Sequence, residues 1–467
     1  MQYKTSFKHI VRRMCHEGLP QVAIDTFEHN YSQLVEGARG FVSHYEIEPL
    51  MIAPDYHALH ASGLDELRPL KQTLMVKLNG GLGTSMGLAQ AKLLLPAKDG
   101  CTFLDIIAKQ VLYLRKTYGV DMPLVFMNSF NTDEDTLKAM DQYPELVQGQ
   151  KNIPLSFLQH KVPKIDQDTF EAVEHPEDPS KEWCPPGHGD IYTAMVSSGI
   201  LRQFLEQGFK YAFVSNADNL GAVMDPRILA YFVERKIPFL MEVTDRTEAD
   251  KKGGHLARNK NGGILLRELA QCPEDEIEDF QDVSKFKYFN TNTIWVNLES
   301  IQQKLSETHN VLKLPLIVNS KTIDPKDTTS LNVFHLEMAM GAAISTFPDA
   351  EVLRVPRTRF TPVKTTNDLL ALWSDIFVLN EAGHVVVNPR RKLETIVIDL
   401  DGTHYKLIED FQARLPVAAP SLLKCSSLAI QGDIRFGPDV QLKGNVHLRN
   451  DANEQRVIAN ECIDGSV

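Results

Sequence analysis

The chain has 467 residues, too many for one hydrophobic core, and this length predicts two or three domains. The net charge of −12 excludes a general nucleic-acid-binding surface, and no apolar run is long enough to span a membrane. The six cysteines are isolated from one another, which argues against a disulfide framework or a zinc site and favours a cytoplasmic protein. The first ten residues lack the apolar stretch of a secretory signal, so we expect none.

Residues 1–50 are expected to form a helical N-terminal segment. Ile24, Phe27, Tyr31 and Leu34 recur at helical spacing and would face one side of a helix. We find no residue pattern in this segment that carries chemistry.

The stretch 74–92 is the first that indicates a ligand. A short apolar run ends in a loop with four glycines in eight residues, and Lys92 follows five positions after the last glycine. Glycines let a ligand approach the backbone amides, and amides ahead of a helix bind phosphate. We therefore predict a strand, a phosphate-binding loop and a helix, with Lys92 adding a positive charge.

Two better-known phosphate loops do not match this stretch. The dinucleotide fingerprint G-x-G-x-x-G would need a third glycine where Met86 stands, and Gly87 comes one position late. The P-loop would need a lysine directly after one of the glycines. A glycine-rich turn without a ligand is an equally open interpretation of the loop alone.

Residues 51–355 alternate between strand-like and helical segments. The strands are expected at 123–127, 211–215 and 237–243, with helices over 103–118 and 191–207. This alternation predicts an α/β fold with a mixed, mostly parallel sheet and helices on both faces. Ligands bind such sheets at the carboxyl ends of the strands, where the glycine loop also lies.

A polar cluster, 216–219, follows one predicted strand directly. Asp218 could hold Mg²⁺ against the phosphates of a nucleotide, because this ion prefers carboxylate and other oxygen ligands. An Asx turn that caps the next element is the alternative.

A second cluster, 185–190, places His188 between two glycines and after two prolines. This arrangement would expose the imidazole and the backbone to a ligand, while Asp190 would cap a helix that begins at Ile191. A structural histidine is the alternative.

A third cluster, 359–368, contains Lys364 between an X-Pro step and a helix start with a Thr or Asn cap. Lys364 could direct its charge towards the ligand edge of the sheet, and we expect its position to depend on closure between the domains. Taken alone, it would be an ordinary solvated lysine.

Residues 356–467 are rich in short β-segments. Between 427 and 448, apolar residues recur at every sixth position in two series, Ile430, Phe436, Leu442 and Ile434, Val440, Val446. This period is typical of the rungs of a β-helix. An ordinary β-meander is the alternative.

Together these motifs resemble the eukaryotic-type UDP-glucose pyrophosphorylase family, the UTP–glucose-1-phosphate uridylyltransferases. The resemblance runs from about residue 70 to the C-terminus and is carried by the segments 78–87, 186–192, 215–222, 252–254, 285–292 and 359–366.

The resemblance implies a nucleotidyltransferase-A type, Rossmann-like core with a small C-terminal left-handed β-helix. It implies Mg²⁺ dependence and the transfer of UMP from UTP to glucose 1-phosphate. Lys92 and Lys364 are then the catalytic residues, and Asp218 is the metal ligand. The implied nucleotide-binding residues are Leu78, Asn79, Gly80, Gly81, Lys92, Gln159, Gly187, Asn216, Asp218 and Lys364. The implied sugar-phosphate-binding residues are His188, Asn290, Asn292, Gly254 and Glu268. A homo-oligomer formed through the C-terminal β-helix is also expected.

The sequence departs from the family pattern around Lys92, at Thr293 and at His255. These departures keep two alternatives open: a UDP-sugar pyrophosphorylase acting on galactose or N-acetylhexosamine 1-phosphate, and a non-catalytic nucleotide-binding scaffold. Asn79 and the segment 84–86 resemble the glucose-specific group, and the presence of both lysines and Asp218 favours an enzyme.

Overall fold

The structure is a computed structural model that describes residues 2–59, 67–83, 86–88, 90–324, 327, 329–393 and 396–466. Thr84 and Ser85, on which part of the glucose prediction rests, lie outside the described residues. The helices are α1 Gln2–His16, α2 Gln21–Val35, α3 Leu67–Lys71, α4 Phe103–Tyr118, α5 Asp133–Met140, α6 Pro144–Gln148, α7 Ile191–Ser197, α8 Ile200–Glu206, α9 Pro226–Glu234, α10 Ile277–Gln281, α11 Leu298–Glu307, α12 Thr366–Trp373, α13 Gly402–Tyr405 and α14 Ile408–Arg414.

The strands are β1 Ile47–Pro49, β2 Thr73–Asn79, β3 Pro96–Lys98, β4 Cys101–Thr102, β5 Leu124–Asn128, β6 Ser156–Leu158, β7 Val162–Pro163, β8 Ile165–Asp166, β9 Trp183–Cys184, β10 Tyr211–Asn216, β11 Phe239–Asp245, β12 His255–Asn259, β13 Ile264–Arg267, β14 Tyr288–Asn297, β15 Leu316–Thr322, β16 Asn332–Met338, β17 Glu351–Arg354, β18 Phe377–Leu379, β19 Val385–Val387, β20 Val397–Leu400, β21 Ser421–Gln431, β22 Ile434–Phe436, β23 Gln441–Arg449, β24 Arg456–Ile458 and β25 Cys462–Ser466. None of the helices in the described ranges is long and apolar enough to cross a membrane.

The central sheet is mixed and has the strand order β1-β12-β14-β10-β2-β5-β6, with β11, β13 and β17 attached to it. The pairs β10–β2, β2–β5 and β5–β6 are parallel, so the ends of these strands meet at one edge. Helices cover both faces: Met75 of β2 packs in one cluster with α4, and Leu74 and Val76 pack in another with α7 and α8. The α/β fold predicted from the alternation of segments is confirmed.

The predicted helix over 103–118 is confirmed as α4, which has clear signals at both ends. Thr102 and Asp105 form a capping box at its start, and Gly119 ends it in the left-handed conformation. The predicted helix over 191–207 is instead two helices, α7 and α8. Gly199 separates them with a φ of +73°, a conformation that interrupts a right-handed helix.

The N-terminal helices α1 and α2 pack against a small antiparallel sheet made of β15, β16 and β8. Ile24, Phe27, Tyr31 and Leu34 of α2 are all buried there, as the helical spacing predicted. The domain boundaries at residues 50 and 355 stay predictions.

The C-terminal strands form parallel ladders, β20-β21-β23-β25 and β22-β24. A β-meander is antiparallel and is therefore excluded for this segment. Leu428 pairs with Val446, 18 positions later, which is three of the six-residue repeats seen in the sequence. The left-handed sense of this coil stays a prediction.

Candidate active site

Asp218 lies two residues beyond β10, at the carboxyl edge of the central sheet. Lys92 Nζ is 2.8 Å and Lys364 Nζ is 3.0 Å from the same carboxylate oxygen, Asp218 Oδ2. Lys92 Nζ also donates a hydrogen bond to the carbonyl oxygen of Val363. The structure thus brings together three predicted site residues that are far apart in the sequence.

The charges in this cluster are strongly coupled. Burial alone would raise the pKa of the Asp218 carboxyl, but the ammonium groups of Lys364 and Lys92 hold that pKa below its usual value. Within the described part of the chain, Asp218 Oδ1 is buried and has no hydrogen-bond partner. An ionised carboxylate oxygen without a partner is suited to a cation.

The glycine loop follows β2 at the same edge. A Cβ on Gly80 would lie 2.4 Å from Gln159 Oε1, so any larger residue at this position would displace the Gln159 side chain. A Cβ on Gly81 would meet no atom within 4 Å, so Gly81 faces open space. Packing within the protein would therefore tolerate a side chain at position 81, and the glycine leaves this space free for a ligand.

The predicted helix directly behind this loop is wrong for the described residues. Beyond Gly87 the described residues form a 3₁₀ turn at Lys92–Leu94, and the next α-helix is α4. Pro96 follows closely and disfavours helical backbone at Leu95, which is extended. Lys92 therefore enters the site from a short turn.

The side chain of Asn79 points into the protein. Its Nδ2 donates to Asn128 Oδ1 at 2.8 Å and to Thr136 Oγ1 at 2.9 Å. Leu78, the residue before it, is also buried in β2. These side chains fix the end of the strand, and the predicted contact of 78–81 with a nucleotide would have to involve the backbone.

Gln159 and Gly187 form the next part of the edge. Gln159 Nε2 donates to the carbonyl oxygen of Gly187 at 3.2 Å. Gly187 has a φ of +79°, and a Cβ there would lie 2.5 Å from the carbonyl oxygen of Met338. Both conditions require glycine at this position, where the chain passes directly against the backbone of Met338.

His188 is positioned as a neutral hydrogen-bond donor. Its Nδ1 accepts from the backbone N–H of Met340 at 2.8 Å, which leaves the ring proton on Nε2. Burial, and then the nearby Lys364 ammonium, lower the pKa of His188 to about 4. The ring therefore stays uncharged at neutral pH.

The prediction that Asp190 caps α7 is wrong. Asp190 belongs to a 3₁₀ turn and has helical backbone angles, so its side chain makes no capping hydrogen bond. Its carboxylate instead accepts from the backbone N–H of His160 at 2.7 Å and lies 3.0 Å from the imidazole Nδ1 of the same residue. It thereby anchors the segment that carries Gln159.

The predicted sugar-phosphate residues also lie together. Asn290 Nδ2 donates to Asn292 Oδ1 at 2.9 Å, and the Asn290 backbone N–H donates to the carbonyl oxygen of Gly254 at 3.1 Å. A Cβ on Gly254 would lie 2.6 Å from the carboxylate of Glu268. Burial raises the pKa of Glu268 to about 7. The Met340–Gly341 turn links this group to His188, because a Cβ on Gly341 would lie 3.4 Å from Asn290 Nδ2.

The sequence reasoning missed the role of Asn219. Its Oδ1 accepts from the backbone N–H groups of Gly221 and Thr361, and its Nδ2 donates to the carbonyl oxygen of Arg359. The N–H of Val363 also donates to the carbonyl oxygen of Asp218. These bonds hold the segment before Lys364 against the loop that carries Asp218.

A buried ion pair supports the same segment. The Arg359 guanidinium makes two 2.7 Å hydrogen bonds to the Glu242 carboxylate, and Trp295 Nε1 donates to that carboxylate as well. Glu242 is fully buried and interrupts the apolar run 237–243. That lone carboxylate in an apolar run was the sequence signal for the pair, because charged residues are almost never buried unless paired.

At the carboxyl ends of its parallel strands, the sheet brings two lysines together with glycine turns that leave room for a ligand. This arrangement is typical of an α/β enzyme that binds phosphorylated ligands. A sequence profile described as UTP–glucose-1-phosphate uridylyltransferase matches residues 24–443. The chain belongs to the UTP–glucose-1-phosphate uridylyltransferase family.

Individual relatives match over most of their length. The probable UTP–glucose-1-phosphate uridylyltransferase of Schizosaccharomyces pombe is 40% identical over 440 residues, which cover 93% of this chain and 85% of the relative. The enzyme of Saccharomyces cerevisiae is 41% identical over 379 residues, which cover 81% of this chain and 74% of the relative. A crystal structure of a UDP-glucose pyrophosphorylase mutant from Leishmania major in complex with UDP-glucose has a TM-score of 0.92 and 41% identity, and it covers 98% of both chains.

Proposed function

We propose that the protein transfers UMP from UTP to glucose 1-phosphate and releases UDP-glucose and pyrophosphate. The observation that carries this proposal is the pairing of Asp218 with both Lys92 and Lys364, in a chain of this family. A phosphate oxygen of the sugar phosphate attacks the α-phosphorus of UTP in line, and the bond to pyrophosphate breaks. No protein nucleophile is needed, because the attacking phosphate is already anionic.

The main obstacle to this reaction is the repulsion between two polyanionic substrates. At about 4 Å, two unit charges repel by about 4 kcal/mol at an effective dielectric constant of about 20. Lys92 and Lys364 would turn from Asp218 towards the phosphates and offset this repulsion. Backbone amides of the glycine loop would add fixed donors that stabilise the charge of the transition state.

Mg²⁺ fits this site through one protein ligand. Asp218 Oδ1 is buried, ionised and without a partner in the described residues, as a magnesium ligand would be. No cluster of three His, Cys, Asp or Glu side chains suited to a metal occurs among those residues. The other ligands would be substrate phosphates and water, the usual environment of Mg²⁺. The bound ion would neutralise phosphate charge and so make the α-phosphorus easier to attack.

The sugar phosphate would lie between His188 and the group formed by Gly254, Glu268, Asn290 and Asn292. The neutral His188 ring can donate from Nε2 to a phosphate oxygen or a sugar hydroxyl. Glu268 and the two asparagines offer both donors and acceptors to hydroxyl groups. These groups favour a hexose over a ligand with an apolar body.

A test of this function uses UTP, Mg²⁺ and a panel of sugar 1-phosphates, with release of pyrophosphate as the measurement. We expect the highest kcat/KM with glucose 1-phosphate. A higher value with galactose 1-phosphate or an N-acetylhexosamine 1-phosphate would refute the assignment of the sugar. Binding of UTP without release of pyrophosphate from any sugar would instead favour a non-catalytic scaffold.

Two further expectations concern the C-terminal segment and the location of the protein. We propose that the C-terminal coil is a left-handed β-helix; the 18-residue register and the six-residue repeat support this proposal. Homo-oligomer formation through this coil and a cytoplasmic location stay predictions. Sedimentation of the whole chain, and of a variant with charged substitutions on the coil, would test homo-oligomer formation.

A further inference from the structure

A cavity of about 540 Å³ lies behind the loop that carries Asp218. Its walls are formed by α4, by Met75 and Lys77 of β2, by the loop 221–225 with the start of α9, and by the start of β19 with the turn before it. None of the described residues predicted to bind UTP or the sugar phosphate lines it. The volume falls within the range of about 300–1,000 Å³ typical of sites for small organic ligands.

The body of the cavity is apolar. Ile107, Val111 and Leu114 line it from α4, and their spacing places them on one face of the helix. Met75, Val223 and Val385 line it from the sheet, the loop and the hairpin. A ligand that fills this space would therefore present a mainly apolar surface.

The charges that line the cavity are unequal. Arg359 is neutralised by Glu242, and Arg227 is paired with Asp225 at 3.0 Å. Lys77 has no acidic partner at salt-bridge distance among the described residues, although only 2% of it is exposed. Lys77, when protonated, is thus a buried cation of the cavity wall without a paired carboxylate.

The ammonium of Lys77 is incompletely bonded. It donates to Ser215 Oγ at 2.8 Å and to the carbonyl oxygen of Ala222 at 3.0 Å, and Ala222 itself lines the cavity. An ammonium has three protons, and within the described chain the remaining contact of Nζ is with the face of the Phe213 ring, whose centroid is 5.6 Å away, so no third oxygen or nitrogen accepts from it. Burial, and then the charge of Arg359, lower the pKa of Lys77 to about 7, so an adjacent anion would offset the desolvation.

We propose that this cavity is a second ligand site, which takes an organic anion with an apolar ring body and a single acidic group. The acidic group lies beside Lys77, and the ring body packs against the apolar face of α4. The ligand would contact Gly221 and Ala222. These residues belong to the loop that carries Asp218, and they lie on the side of that loop that faces away from the substrate site. The site is independent of the proposed reaction, because its residues and its test do not require catalysis.

The test uses the whole chain and the fluorescent dye 8-anilinonaphthalene-1-sulfonate, which has an aromatic body and one sulfonate. UDP-glucose is added at saturating concentration to block the substrate site. We expect one dye to bind per chain, with an unchanged dissociation constant when UDP-glucose is present. N-phenyl-1-naphthylamine has the same rings without the sulfonate. We expect it to bind about tenfold more weakly, because it lacks one charge-assisted hydrogen bond.

Matched variants locate the bound dye. Val111→Phe fills the cavity and should abolish dye binding, whereas Leu112→Phe, one position along the same helix and outside the cavity lining, should leave it unchanged. Lys77→Met should weaken the binding of the sulfonate dye about tenfold and leave the binding of the neutral dye unaffected.

Three results would overturn the proposal: competition between the dye and UDP-glucose, equal binding to Val111→Phe and Leu112→Phe, or equal affinity for the two dyes. Circular dichroism verifies that each variant is folded. Should Val111→Phe fail to fold, the comparison of the two dyes on the wild type and on Lys77→Met decides the question.

Discussion

Asn219→Ala should impair catalysis although Asn219 is not itself predicted to touch a substrate. The Asn219 side chain makes three hydrogen bonds, to Gly221, Thr361 and Arg359, at 3.0 to 3.2 Å. At about 1 kcal/mol for each neutral hydrogen bond, their loss should lower the free energy of unfolding by about 3 kcal/mol. The segment that positions Lys364 would lose its attachment to the Asp218 loop.

The effect on activity follows from the position of Lys364. Loss of one donor to the transition state costs about 10²- to 10³-fold in kcat, and a misplaced donor should cost part of this, about tenfold or more. The assay measures kcat and KM by pyrophosphate release, with urea denaturation for the free energy of unfolding. Folded protein at the assay temperature is checked by circular dichroism.

Asn388 provides the matched control. It is also a buried asparagine whose side chain bonds to backbone groups, those of Asp375 and Arg390, and it is not among the predicted site residues. Asn388→Ala should lower the free energy of unfolding without reducing kcat. If both variants changed kcat equally, or if Asn219→Ala kept the wild-type kcat, the positioning argument would be refuted.

Three further predictions address the site directly. Lys92→Met and Lys364→Met should each lower kcat by about 10²-fold or more, because each removes a charge from the transition state; an unchanged kcat for either one would remove it from the mechanism. Gly81→Ala should raise the KM for UTP without lowering the melting temperature, because the added methyl group meets only the ligand; Gly402→Ala, also in open space, is the control and should change neither quantity. Glu268→Gln should flatten the pH dependence of stability: the folded-state pKa of about 7 lies above the usual glutamate value of 4.5, so wild-type stability falls as the pH rises from 4.5 to 7, and the glutamine variant lacks this loss. Equal pH profiles of urea denaturation would contradict this last prediction.

Periodicity and motif position predicted the sheet, α4 and the edge at which the site lies. They succeeded because strands, caps and glycine turns are local features of the sequence. The family resemblance implied Lys92, Lys364 and Asp218 as site residues, but the pairing of both lysines with one carboxylate depends on distant contacts, and no local pattern contains it. Asp190 shows where local patterns fail. It directly precedes α7, as predicted, but it lies in a 3₁₀ turn, and its carboxylate accepts from the backbone N–H of His160 instead of capping the helix.

Other features depend on tertiary contacts alone. The ion pair of Arg359 with Glu242 joins residues that are 117 positions apart, and the lone glutamate in an apolar strand indicates only that some partner exists. The open space around Gly81 also follows from the fold and not from the glycine count. Similarly, the cavity beside Lys77 could not be predicted, because helix, loop and hairpin meet there only in the folded chain.

The attachment of residues 359–363 to the Asp218 loop constrains how the enzyme can move. We expected Lys364 to travel with the C-terminal segment and to reach the site on closure. That expectation stays a prediction, and in this structure the bonds through Asn219, with the bridge of that residue to Pro362, already attach the residues before Lys364 to the sheet. A swing of the C-terminal segment would then pivot beyond residue 364. Both cations would be in place before the substrates arrive, and such a motion would control entry and release instead of assembling the charges.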